Sequence, residues 1–192
     1  MPLAIATTQI AQVVKKETAF LHQEVEQILL PKLQAIRSFE DYALILRMFY
    51  GFYQLLEEKI QSFIPTNLLP DISQRRTSSL IVKDITCLGL TPSFTYCNAI
   101  PQIHSTAEAF GAMYVLEGST LGGKMIAKML AKSDEPAIPP EALHFFSGYQ
   151  NLTGKMWTTF VDALNQQTET EVIVRTANET FYQLKNWMNQ SL

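Results

Sequence analysis

The chain has 192 residues, a formal net charge of −3 and 47% apolar residues. Because domains typically run to roughly 100–200 residues, this length predicts a single domain over residues 1–192 with a sizeable core. Fifteen basic residues against 18 acidic ones argue against a nucleic-acid partner or an anionic membrane surface. Two cysteines are too few for a disulfide scaffold, and the sequence pattern predicts neither a signal peptide nor a membrane span. We therefore expect a reduced, cytoplasmic protein.

Apolar residues recur at three- and four-residue steps through most of the chain, which predicts helices. The first helix is expected to be capped by Thr7 or Thr8 and to end at Pro31, where the pattern stops. The further predicted helices are 39–63, 73–88, 105–131, 152–166 and 169–189. Ser38 or Asp41 would cap the first of these, and Gly89 would end the second. Ser105 or Thr106 would begin the helix 105–131, with Glu108 completing a capping box. Alternating strand patterns are absent from the sequence. The pattern therefore predicts an all-α fold.

The predicted helix 105–131 is rich in glycine, a residue that costs about 1 kcal/mol relative to alanine inside a helix. Four of the eight glycines fall in the run GAMYVLEGSTLGG, at Gly111, Gly118, Gly122 and Gly123. Gly111, Gly118 and Gly122 lie within about 40° of one another on a helical wheel. Such a stripe allows close approach of a neighbouring helix or of a flat ligand. Ser119 and Thr120 can hydrogen-bond to the preceding turn, which favours a bend there.

His22 is the histidine best placed for a metal, because it lies beside the apolar face of the first predicted helix. Glu26 follows one turn later, and Lys15 lies two turns earlier within about 20° on the wheel. One imidazole nitrogen can bind a metal while the other meets an oriented partner. A half-buried histidine paired with Glu26 is the alternative. Glu141 and His144 form one Glu-x-x-His element, but no second occurs, which excludes a ferritin-like di-iron site.

Four sequence blocks together resemble the bacterial biliverdin-producing heme oxygenases. They are FLHQEVEQ in the first helix, RRTSSLIVKDITCLG in the third, AFGAMYVLEGSTLGGKMI in the fourth, and LHFFSGYQNLTGKMWTTFVDAL further on. The blocks follow the order of the family and span residues 10–185. Leu-Glu-Gly-Ser-Thr-Leu-Gly-Gly is the most specific of these motifs.

The resemblance implies an all-α fold with heme between a proximal helix and a kinked distal helix. His22 would be the proximal iron ligand, and Glu26 a neighbour that helps to fix its setting. Gly118 and Gly122 would approach the distal heme face, and Gly123 would provide helix flexibility and close packing. Further heme contacts implied by rough alignment are Lys15 and Lys155 at the propionates and Phe181 as a pocket wall.

The activity implied is oxidative cleavage of heme to biliverdin, carbon monoxide and iron. Dioxygen and an external electron donor, such as a ferredoxin or flavin reductase, are the further partners expected. The catalytic candidates are Gly118, Ser119 and Gly122. Ser119 stands where mammalian-type members carry an aspartate, and a water chain at Ser119 would deliver protons in its place. Met113 and Val115 stand where those members use a tyrosine and an arginine. A heme-binding or storage protein without cleavage is the alternative, and a helical scaffold or a different small-molecule ligand is a third reading.

Overall fold

The computed structural model describes residues 9–132 and 136–192, and its regular elements within these ranges are all helical. The α-helices are α1 (Ile10–Gln34), α2 (Phe39–Phe63), α3 (Ser79–Cys87), α4 (Thr106–Ala131), α5 (His144–Ser147), α6 (Thr153–Asn165) and α7 (Thr170–Ser191). The all-α prediction is therefore confirmed. Over the same residues, none of the helices combines the length and the apolar character that crossing a membrane requires.

Helix α7 organises the packing, because it runs against both α1 and α4. Helices α2, α5 and α6 also pack on α4, so that α4 lies at the centre of the fold. Large aromatic side chains from four helices fill the core, among them Tyr42 and Phe52 of α2, Phe110 of α4, Phe145 of α5 and Phe160 of α6. Each such side chain removes roughly 150–250 Å² from water, which makes these contacts the main source of stability.

Local capping fixes the ends of several helices where the sequence predicts them. The Ser38 hydroxyl accepts a hydrogen bond from the Asp41 amide at 3.1 Å, so that α2 begins at residue 39. The Ser105 hydroxyl accepts from the Glu108 amide at 3.2 Å and starts α4. Gly89 adopts a φ of +75° just beyond α3, a conformation that favours glycine at a helix end.

The end of α1 differs from its prediction. Pro31 lies inside the helix, which continues to Gln34. Proline lacks an N–H and its ring crowds the carbonyl oxygen four residues earlier, but its own carbonyl oxygen still accepts from the Ala35 amide at 3.0 Å. Gln9 precedes the first helical residue and makes no side-chain cap, while the predicted caps Thr7 and Thr8 lie outside the described residues.

Helix α3 begins at Ser79 rather than at the predicted residue 73. Residues 72–74 form a single 3₁₀ turn, and the segment that follows leaves the helical path. Ser78 donates from its amide at 2.9 Å and from its hydroxyl at 2.7 Å to the Glu57 carboxylate of α2. This long-range contact satisfies backbone groups that an earlier helix start would have used. Helix α5, a single turn, is absent from the predicted elements.

Candidate functional site

A cavity of about 370 Å³ lies between α1 and α4. Its volume falls within the roughly 300–1,000 Å³ of small-molecule pockets. Apolar and aromatic side chains dominate the wall, among them Val25, Leu29, Phe49, Phe146, Trp157 and Met188. The polar side chains that line it are Lys15, Thr18, His22, Glu26, Tyr53, Arg76, Tyr114 and Ser119. A few polar groups in an apolar wall are typical of a site that binds and orients a ligand.

The α1 side of the cavity carries His22, whose side chain is 55% exposed. Its ring centroid lies 5.3 Å from that of Phe181, a buried residue of α7. The His22 Nε2 is 3.5 Å from Glu26 Oε1, and Lys15 lines the cavity from the same helix. A polar contact this exposed contributes little stability, so the imidazole can exchange Glu26 for another partner. The structure thus brings together four residues singled out in the sequence.

The α4 side of the cavity is open at two glycines. A Cβ atom added at Gly122 would have no contact within 4 Å. One added at Gly118 would meet only the Trp157 ring, at 4.0 Å. The helix backbone is therefore directly accessible from the cavity at these two positions, as the approach of a flat ligand requires.

The other two glycines of α4 serve helix packing. A Cβ atom at Gly111 would lie 2.5 Å from the Ile173 carbonyl oxygen of α7, and one at Gly123 would run into the Phe146 carbonyl oxygen of α5. Close helix packing therefore accounts for Gly111 of the stripe and for Gly123 beside it, and the approach of a flat ligand stays a prediction for Gly118 and Gly122. Gly111 and Gly123 allow helices to pack closely, while Gly118 and Gly122 face the cavity.

Ser119 and Thr120 make the local hydrogen bonds that the sequence predicts. The Ser119 hydroxyl donates to the Leu116 carbonyl oxygen at 2.7 Å, and the Thr120 hydroxyl donates to the Glu117 carbonyl oxygen at 2.7 Å. Helix α4 remains helical through this segment. The Ser119 oxygen also accepts from Arg76 Nη2 at 2.8 Å, a contact that the sequence does not reveal.

Arg76 is a cavity residue that sequence reasoning missed. Its guanidinium donates to the carbonyl oxygens of Leu116 at 3.0 Å and Phe145 at 3.3 Å. It also lies over the Phe145 ring, 4.4 Å from the centroid, a favourable cation–π distance. The only signal in the sequence is the Arg-Arg pair of the RRTSS block, and two adjacent arginines in a predicted helix do not indicate a position in a cavity wall.

A buried ion pair holds α4 from behind the cavity wall. Glu117 accepts hydrogen bonds from Arg75 at 2.7 Å and from the Tyr149 hydroxyl at 2.7 Å. Arg75 also donates to Asp71, with the shorter contact at 2.6 Å. Burial acts to lower the pKa of Arg75, but the Glu117 and Asp71 carboxylates outweigh it and raise that pKa. This network fixes the turn of α4 that leads into Gly118.

Lys155, which was predicted to contact the ligand, lies outside the cavity lining, whereas Tyr53, which was not predicted, belongs to it. Lys155, on the first turn of α6, is exposed and does not belong to the cavity lining of the described residues. Tyr53 of α2 does line it, and the hydroxyl of this buried residue has no hydrogen-bond partner among the described residues. Tyr53 has no sequence signal, because one more aromatic residue in the aromatic helix α2 looks like ordinary core.

Comparisons with known proteins identify the family. The sequence model described as "Heme oxygenase" matches residues 90–190, more than half of the chain. A heme oxygenase of Xanthomonas campestris pv. campestris (strain 8004) is 32% identical over 107 residues, which are 56% of this chain and 62% of that protein. The heme oxygenase of Neisseria meningitidis, solved in NO- and CO-bound forms, shares the fold with a TM-score of 0.80 at 21% identity, over 96% of this chain and 92% of that one. This chain belongs to the heme oxygenase family.

Proposed function

We propose that this protein is a heme oxygenase that cleaves heme to biliverdin, carbon monoxide and iron. The observation that carries the proposal is one apolar cavity with His22 on α1 and the backbone-open Gly118 and Gly122 on α4. Family membership supports it. The match with the Xanthomonas heme oxygenase covers less than two thirds of that protein's length, so the activity rests on the site itself.

The residues of the cavity fit heme as substrate. A porphyrin is flat and apolar, and the wall offers apolar side chains together with two Cβ-free positions on one helix. An imidazole is a common iron ligand in heme proteins, and that of His22 is accessible. Heme, when bound, supplies the iron that takes up dioxygen and the ring that is oxidised, while the protein supplies binding, orientation and electrostatics.

On the α1 side, the His22 imidazole would hold the iron. Its Nε2 now faces Glu26, and an exposed pair of this kind is readily broken because its strength is typically below about 1 kcal/mol. Glu26 then remains a neighbour that restricts the ring. Phe181 packs against the imidazole and limits its rotation. Lys15 is the cation on this helix that a propionate would meet.

On the α4 side, Gly118 and Gly122 leave room for the substrate against the helix backbone. Gly123 supports this arrangement, because its lack of a side chain lets α4 pack on α5. Ser119 holds a hydroxyl at the cavity wall and would anchor the water that delivers protons. The apolar lining excludes other water from the reaction. Lys155 remains a candidate for a propionate contact outside the cavity lining.

Turnover requires partners that this chain does not itself provide. Its proposed reaction consumes dioxygen and electrons, and a ferredoxin or a flavin reductase is the class of donor that we expect. A cytoplasmic location belongs to the same proposal, since such donors are reduced there.

The test is an optical titration of the purified protein with hemin, followed by addition of ascorbate in air. We expect a saturable Soret band that decays as the broad red absorbance of biliverdin grows. His22→Ala should weaken hemin binding at least tenfold, because the iron loses its ligand. His104→Ala is the matched control, since His104 is exposed and outside the cavity lining. A Soret band that persists under reductant would indicate a heme-binding protein without cleavage, and equal hemin affinity in both variants would refute the role of His22.

A further inference from the structure

Helix α1, which carries the proposed iron ligand, is capped by a side chain from another helix. The first amides of a helix have no partner within it, and a side chain at the N-cap commonly accepts from one of them. Gln9, directly before α1, makes no such hydrogen bond. The Asn165 side-chain oxygen Oδ1 accepts instead from the Ala11 amide, at 3.0 Å and across 154 positions of the chain. The end of α6 therefore caps the beginning of α1.

This contact lies where α6 passes into α7. Helix α6 ends at Asn165 and α7 begins at Thr170, and α1 packs along α7. Ala11 and Asn165 are both half-buried, so their hydrogen bond is partly shielded from water and costly to lose. Helix α6 also packs on α4 and contributes Trp157 to the cavity wall. Asn165 thus ties the first turn of α1 to elements on the other side of the cavity.

Directional contacts determine how far along α7 the helix α1 lies. Those between the two helices advance in the same direction along both, and they join His22 to Phe181, Glu24 to Lys185, and Lys32 to the Leu192 carbonyl oxygen. The two helices therefore run in parallel. The hydrophobic effect is non-directional, so apolar packing alone holds them together without fixing their axial register.

The polar contacts lie on both sides of His22. Among the described residues, side-chain hydrogen bonds join α1 to α6 and α7 at Ala11, Glu24 and Lys32. Glu24 and Lys32 come after His22, and Ala11 comes before it. The hydrogen bond to Asn165 is therefore the polar contact that holds the part of α1 preceding the imidazole.

We propose that Asn165 is a positioning residue for His22, because its cap on α1 sets the axial position of the helix that presents the imidazole to the iron of bound heme. The inference rests on the proposed function and deepens it. Without the cap, the Ala11 amide loses its partner and the first turns of α1 can shift along α7. A protein that binds its ligand in one of two positions loses apparent affinity in proportion to the fraction displaced.

The residue type at position 165 supports this assignment. Asparagine has a low intrinsic preference for helices, and the hydrogen bond that its side chain makes in the described part of the chain is the one to α1. Gln167, two residues later, carries the same functional group in a different setting. Its side chain donates to the Ala163 carbonyl oxygen of α6 at 2.9 Å, which makes Gln167 a matched control.

The experiment combines optical titration with hemin and resonance Raman spectra of the ferrous heme complex. Loss of an N-cap changes the equilibrium between capped and uncapped helix by a factor of roughly 2–30. For Asn165→Ala we therefore expect the hemin Kd to rise at least threefold and the iron–histidine stretching band to shift or broaden. Asn165→Asp keeps an acceptor and adds a charge that a helix N-terminus favours, so it should stay within twofold of wild type, as should Gln167→Ala.

A double variant shows whether Asn165 acts through His22. In a His22→Ala background, Asn165→Ala should change the hemin Kd less than twofold, because the ligand that it positions is absent. The same rise in Kd in both backgrounds would mean that Asn165 shapes the cavity without positioning His22, and the proposal would fail. A lower Tm of heme-free Asn165→Ala with unchanged hemin Kd and iron–histidine band would also overturn it. Absence of hemin binding by the wild type would refute the proposed function, and this inference with it.

Discussion

The two adjacent arginines have different partners: Arg75 belongs to a buried ion pair, whereas Arg76 hydrogen-bonds to Ser119 and to backbone carbonyl oxygens. Arg75 is 6% exposed and lies between Glu117 and Asp71. Loss of one partner from such a buried pair leaves an uncompensated charge, which is more costly than the pair is stabilising. The Arg75–Glu117 pair therefore acts as a positioning contact for α4, while Arg76 hydrogen-bonds to Leu116 and Ser119 of α4 at the cavity wall.

Replacement of Glu117 by glutamine tests the positioning role. We expect Glu117→Gln to lower the free energy of unfolding by about 3 kcal/mol, because Arg75 stays buried without its main counter-charge. Urea unfolding of the heme-free protein measures the effect. Glu24→Gln is the matched control, since Glu24 pairs with Lys185 at 2.9 Å in a more exposed setting and should lose less than about 1 kcal/mol. Equal losses in the two variants would contradict a special role for the buried pair.

Some residues of the candidate site could be predicted from a local sequence pattern, and others could not. His22, Gly118 and Gly122 are recognisable because helical spacing and a compact motif place them on known faces of single helices. Tyr53 and Arg76 come from α2 and from the segment before α3, and only the tertiary fold brings them to Ser119. No spacing in the sequence indicates that Tyr53, Arg76 and Ser119 lie close together, so this polar part of the cavity wall could not be predicted.

Helix α4 contains glycines that face open space and glycines that pack against another helix. Alanine substitutions at the two kinds of position should change the free energy of unfolding in opposite directions. Gly122→Ala adds a methyl group in open space and improves helix propensity, so we expect the heme-free protein to gain about 0.5–1 kcal/mol. Gly123→Ala drives a methyl group into the Phe146 carbonyl oxygen, and we expect a loss of about 1–3 kcal/mol from the forced backbone shift.

Thermal unfolding and hemin titration of the two alanine variants complete this test. Gly122→Ala should be more stable than wild type yet bind hemin more weakly, because the methyl group occupies cavity space. Gly123→Ala should unfold at a lower temperature. If Gly122→Ala lost stability without loss of hemin affinity, the assignment of Gly122 to the cavity face would be wrong.

Helix boundaries were predictable where capping is local and not where the chain responds to distant partners. Ser38 caps α2 and Ser105 caps α4, and each hydroxyl accepts a hydrogen bond from the backbone amide three residues later. The late start of α3 depends on Glu57, twenty-one positions before Ser78. Pro31 misled the prediction of the end of α1, because the bond and the space that a proline takes from a helix are those of the preceding turn, and the residues after it can continue the helix.

At the scale of the whole molecule, α7 joins two helices that the cavity separates. Helices α1 and α4 each pack along α7, and both contribute side chains to the cavity lining. A ligand in the cavity would therefore bridge α1 and α4 directly. Such a ligand stabilises the folded state, because it binds the assembled wall and not the unfolded chain.

If hemin binds between α1 and α4, it should raise the Tm of the protein and slow amide exchange most in these two helices. At a free hemin concentration 100 times its Kd, linkage gives about 2.7 kcal/mol, or a rise in Tm of roughly 5–11 °C for a chain of this size. Amide hydrogen exchange should slow most around His22 on α1 and around Gly118 on α4, and least in α3, whose residues are absent from the cavity lining. His22→Ala at the same hemin concentration should lose most of the Tm shift. Protection of α3 greater than that of α1 and α4 would show that hemin binds outside this cavity, because global stabilisation alone slows exchange in all helices alike.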